Sequence, residues 1–195
     1  MQLALATLIG LPMLAIIIDR FSENADLQLS MLSGIHPLLQ PLAGIGCGVI
    51  MGHMAFWVST RQFMKPVMTK YSQLFGAFEL NQSEMIFVSL CAGIGEEILF
   101  RGALQPIMGI VITSIIFVAI HGYLNPNNWR ISVYGIFMTL LIIGVGFMTI
   151  HLGLITAIFT HAMIDYYLIL RMPRNSEAEI IDNPHLIENE ENPHD

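Results

Sequence analysis

Six ionisable side chains stand inside otherwise apolar stretches of the chain: Glu96, Glu97 and Arg101 in one, His121 in a second, His161 and Asp165 in a third. Residues four apart on a helix share a face, so Glu97 and Arg101 can pair, and His161 and Asp165 present two polar groups together. Phe117 lies one turn before His121. Glu96 is turned roughly 100° from Glu97, so the two carboxylates cannot do the same job. One is neutralised by Arg101; the other is free to face the histidines. Carboxylates and imidazoles in this combination are the groups that activate water. A carboxylate takes its proton, while imidazoles either polarise the target or hold a divalent ion. Plainer readings apply elsewhere. His53 and His151 read as packing residues, His36 as a loop residue before Pro37, and His185 and His194 as tail residues. Glu97 and Arg101 read first as a structural ion pair.

The elements that carry these groups are membrane helices. Of 195 residues, 54% are hydrophobic and 12% charged, about half the charged share of a soluble domain. Crossing a bilayer takes roughly 17–25 apolar residues. The segments Leu3–Ile18, Pro41–Val58, Met85–Gln105, Ile107–Tyr123, Ile131–Ile150 and Leu152–Leu170 qualify, which predicts an all-α, polytopic integral-membrane bundle of about six spans. Leu3–Ile18 lacks a basic leader and a small-residue cleavage site and reads as a retained span. Charge at membrane depth costs roughly 2.5–3.5 kcal/mol per group, so the six ionisable groups must converge on one interior site.

With the N-terminus in the cytoplasm, Arg61, Lys65, Lys70, Arg130, Arg171 and Arg174 fall inside and only Arg20 outside, predicting cytoplasmic termini in a cell membrane. Residues 1–172 form the membrane domain. Residues 173–195, rich in Glu, Asn and Pro, read as a disordered acidic tail without chemistry. Arg61–Leu80 reads as a cytoplasmic loop with a surface-lying helix, Asn81–Glu84 as a capped helix start, and Tyr123–Arg130 as a turn-rich loop. Gly44, Gly48 and Gly52 read as a close-packing ridge. Cys47 and Cys91 sit in apolar runs as small buried hydrophobes. No basic cluster exists to bind nucleic acid.

Three spaced motifs, Glu-Glu-x-x-x-Arg (Glu96, Glu97, Arg101), Phe-x-x-x-His (Phe117, His121) and His-x-x-x-Asp (His161, Asp165), occur in order on successive spans. With the run Gly-Glu-Glu-Ile-Leu-Phe-Arg-Gly at 95–102, the chain over roughly 83–170 resembles the CAAX protease and bacteriocin-processing family of intramembrane proteases, which includes the type II CAAX prenyl endopeptidases. The resemblance implies an endopeptidase acting on a membrane-associated protein or peptide. It gives Glu96 the water-activating role, His121 and His161 the two catalytic histidines, and Asp165 a fourth position that is usually Asn. Glu97, Arg101 and Phe117 become supporting residues.

Two mechanisms follow from these residues. In one, His121, His161 and Asp165 or Glu96 hold a divalent metal, zinc by preference, that polarises the water. In the other, Glu96 and His121 activate water while His161 and the fourth residue form the oxyanion hole. Asp165 donates a hydrogen bond only when protonated, which favours the metal version. A catalytically silent scaffold that binds a partner is the competing function. An ion-coupled transporter would need an inverted repeat, and none is seen. A cavity opening toward the cytoplasm is expected, with His121 near the cytoplasmic end of its span and Glu96 and His161 nearer the middle.

Overall fold

The structure is a computed structural model that describes residues 1–22, 33–65, 68 and 80–171. The acidic tail and most of the 66–79 loop lie outside the described residues. Among those described, the architecture is entirely helical: α1 (Gln2–Phe21), α2 (Gln40–Ser59), a single 3₁₀ turn (Gln62–Met64), α3 (Gln82–Glu97), a π-helical stretch (Ile98–Leu104), α4 (Gln105–Met108), α5 (Ile110–Ile120), α6 (Trp129–Leu152) and α7 (Leu154–Arg171).

Four of the six expected spans, α1, α2, α6 and α7, are single helices long and apolar enough to cross a membrane. Their outward residues, such as Ile9 and Met13 on α1, Ile50 on α2 and Ile136 and Leu140 on α6, are apolar and exposed, as a lipid-facing surface requires. The third expected span is one helical rod of three pieces, residues 82–108. It begins where the sequence places it: the Asn81 side chain accepts from the Glu84 backbone N–H at 3.0 Å, and the Glu84 carboxylate accepts from that of Asn81 at 2.9 Å.

The fourth expected span, Ile107–Tyr123, is corrected. Gly109, at φ +78°, breaks the apolar run, and α5 has 11 residues. Its length of about 16 Å covers only half of a ~30 Å hydrocarbon core. The chain then returns as a loop along the first turns of α6, where the Tyr123 carbonyl packs on Gly135. Non-helical backbone near a membrane needs its polar groups paired. Ser132 donates to the Asn125 carbonyl at 2.6 Å, and the Asn128 side chain caps α6 through Ile131 N–H.

One end of the bundle gathers Met1, the starts of α3 and α6, and the ends of α2 and α7. Gln82 donates to the Tyr166 hydroxyl at 3.3 Å, and Phe63 stacks on Trp129. Arg61, Lys65, Arg130 and Arg171 lie at this end. At the other end, Ile35 N–H donates to the Leu152 carbonyl, joining the 33–39 turn to the α6–α7 turn.

The glycine ridge packs α2 against α7, the two running parallel. A Cβ on Gly44 would lie 2.6 Å from the Thr156 carbonyl oxygen, and one on Gly48 would lie 2.5 Å from Met163 Cβ. Gly48→Leu should therefore force the helices apart and cost about 1–3 kcal/mol of stability. Gly46→Leu, whose Cβ meets nothing within 4 Å, should be neutral. Unfolding midpoints in detergent check this, and equal midpoints would disprove the contact.

Candidate active site

Glu97 and Arg101 are fully enclosed, with side-chain exposure of 0% for each, and Arg101 Nε donates to Glu97 Oε2 at 3.1 Å. Buried charge persists only where every partner is supplied. Here the partners come from three other helices. Arg101 reaches the Ser114 hydroxyl on α5 at 3.4 Å and the Ile142 carbonyl on α6 at 3.3 Å. Glu97 Oε1 meets His161 Nδ1 of α7 at 2.9 Å. The helix takes its π-helical winding immediately after Glu97 and keeps it through Arg101. Such winding is frequent where a helix is shaped around a functional site.

The second ring nitrogen of His161, Nε2, lies 3.4 Å from Asp165 Oδ2. His121 is placed differently, at the C-terminal cap of α5, with Nδ1 2.7 Å from the Phe117 carbonyl. A carbonyl oxygen only accepts, so His121 Nδ1 carries the proton and Nε2 faces outward. That nitrogen lies 3.3 Å from Glu96 Oε2, close but without hydrogen-bond alignment, so that this Glu96 oxygen is enclosed and unsatisfied. Glu96 and Glu97 therefore serve different histidines.

Phe117 stands between these groups. Its ring centre is 4.5 Å from that of His121, 5.5 Å from that of His161 and 5.6 Å from Arg101 Cζ, and Phe100 closes on it edge-on at 5.0 Å. A cavity of about 290 Å³ starts here. His121, His161 and Asp165 stand beside Phe117 on one wall, and mostly apolar residues including Val88, Met138, Leu168 and Met64 line the rest up to the Arg61 end of the bundle. Glu96 reaches this wall through His121. The short α5 removes the expected mismatch in depth, because it ends where His121 Nε2 comes within 3.3 Å of Glu96.

A single metal shell needs at least three converging protein ligands. Among the described residues, no three His, Cys, Asp or Glu side chains gather in that way. The donors stand in two pairs, Glu96 with His121 and Asp165 with His161. The residues named for a zinc site, His121, His161, Asp165 and Glu96, stand here as these two pairs.

The sequence reading passed over three contributors: Ser114, Tyr123 and Tyr134. Ser114 was legible as part of a stripe, lying three residues before Phe117 and seven before His121. The tyrosines carried no such signal; they line the cavity because the loop after α5 folds back on α6. Arg101→Leu should cost about 3–5 kcal/mol by leaving Glu97 buried and unpaired, and adding Glu97→Gln should recover part of that loss. Thermal midpoints of the two variants check the account, which fails if the double variant is no more stable than the single.

No curated protein and no solved structure matches the chain. Residues 80–167 do match the family model of the Rce1-like type II CAAX prenyl endopeptidases. That stretch contains both carboxylates of the pair, Arg101, Phe117, both histidines and Asp165. Over residues 80–167, the chain is similar to the Rce1-like type II CAAX prenyl endopeptidases.

Proposed function

We propose that the protein is an intramembrane endopeptidase in which Glu96 activates a water molecule against a peptide bond held in the cavity. One observation carries this reading: two imidazoles with their Nδ1 positions tied off, presenting Nε2 to Glu96 and to Asp165 beside an apolar cavity inside the bundle. A water on the cavity side of the Glu96–His121 pair would find a carboxylate and an imidazole as acceptors. Glu96 takes its proton as the oxygen attacks the carbonyl carbon, and returns that proton to the leaving amine as the C–N bond breaks. Asp165 in its protonated form, beside His161 Nε2 on the cavity wall, supplies the donor for the developing oxyanion. Glu97, held by Arg101, fixes the His161 ring.

The apolar cavity suits the greasy part of a membrane-associated protein. The activity carried in the family's description makes a prenylated C-terminal peptide the first substrate to test. The end bearing Arg61, Lys65, Arg130 and Arg171 faces the cytoplasm by the positive-inside rule, which puts both ends of the described chain there.

In liposomes carrying such a peptide, Glu96→Gln and His121→Ala should each lower kcat by about 10²–10⁴-fold. His151→Ala, on the exposed opposite end of α6, should leave it unchanged. Undiminished cleavage by Glu96→Gln would remove Glu96 from the reaction, and full cellular replacement by that variant would favour the silent scaffold. Asp165→Asn keeps a donor and should retain cleavage within about tenfold, whereas Asp165→Leu should lose it. Equal rates for the two would exclude Asp165 from the oxyanion site.

A further inference from the structure

At the end of the bundle that carries Arg61 and Arg130, two guanidinium groups lie on indole rings. Arg61 Cζ is 3.5 Å from the Trp57 ring centre, and Arg130 Cζ is 5.2 Å from that of Trp129. Phe63 stacks on Trp129 with ring centres 6.2 Å apart and planes 15° from parallel, pinning the Gln62–Met64 turn to the start of α6. The two cation–aromatic pairs thus form one rim, with both indoles more than half exposed, at 54% and 59%. Exposed tryptophans beside apolar helices mark the depth of lipid head groups.

Among the described residues, neither Arg61 nor Arg130 has an acidic partner at this rim. No Asp or Glu occurs in residues 39–65 or 121–135. Arg61 Nε is engaged by the Trp57 carbonyl at 3.1 Å. Arg130 Nε is enclosed and makes no hydrogen bond among the described residues. A cation without a carboxylate partner calls for an anionic acceptor. Guanidinium forks match phosphate oxygens, and stacking on an indole holds the fork in place. Below the rim, Met54 on α2 and Val133 and Ile136 on α6 are exposed and apolar, a surface for acyl chains.

We infer that this rim binds the phosphate of an anionic phospholipid head group. The inference rests on the membrane reading of the helices and is independent of the hydrolytic one. Its consequence for the cavity is direct: Met64, adjacent to Phe63, is 1% exposed and forms part of the cavity wall. A lipid seated on the rim holds the turn that carries that wall.

The test uses the full chain in nanodiscs of equal phosphatidylglycerol and phosphatidylcholine, extracted in mild detergent, with retained lipid identified by native mass spectrometry. Wild type should retain phosphatidylglycerol in preference. Arg61→Gln with Arg130→Gln should reduce that retention roughly ten- to thirtyfold, at a screening-sensitive contribution per surface arginine. Arg20→Gln, at the opposite end, should not. Equal retention of the two lipids by wild type, or undiminished retention by the double variant, would overturn the site. Excess inorganic phosphate should leave the lipid in place; displacement would assign the rim to a free anion and overturn the lipid. If the double variant unfolds, Arg61→Lys with Arg130→Lys keeps both charges without fork or stacking, and it should show a smaller loss. No loss there would also overturn the proposal.

Discussion

Glu97 and Arg101 form an ion pair with no exposed side-chain surface, and the arrangement of four helical segments follows from the need to satisfy it. An enclosed carboxylate and guanidinium have more hydrogen-bonding positions than they can fill for each other. The remainder are filled by Ser114 of α5, the Ile142 carbonyl of α6 and His161 of α7. Each partner ties a different helix to the rod 82–108 at the same depth. The polar site is therefore the place where the bundle is most tightly specified.

The chemistry grows from that anchor. Glu97 orients His161, and His161 brings Asp165 to the cavity wall. His121 owes its position to a different feature, the early end of α5. Helix termini leave carbonyls without an intrahelical partner, and His121, at the cap, turns its ring back to the Phe117 carbonyl. Phe117 then spaces the two imidazoles, with each ring in aromatic contact with it. The outcome is two carboxylate–imidazole pairs on one wall, with the apolar part of the cavity reaching toward the positively charged end of the bundle.

Much of this was legible in the residues. The Asn81–Glu84 capping box, the Gly44–Gly48–Gly52 ridge and the pairing of Glu97 with Arg101 are local or periodic patterns, and local geometry alone sets them. The convergence of Glu96, His121, His161 and Asp165 was legible for an energetic reason, since isolated charge is too costly in hydrocarbon to be scattered. The length of the fourth helix was not. Ile107–Tyr123 has the composition of a full span, and its break at Gly109 depends on a positive φ that glycine permits but does not require. The double engagement of Glu97 was hidden too, because His161 lies 64 residues away on another helix.

The amino-acid order by itself determined the all-helical class, the membrane setting and which side chains must leave the lipid, because those follow from apolar run length and the cost of buried charge. Tertiary structure alone decided which carboxylate faces which imidazole, how far α5 extends, and that the donors stand as two pairs. Those outcomes depend on inter-helical distances of a few ångströms, and helical periodicity fixes direction around one axis without fixing the separation between two.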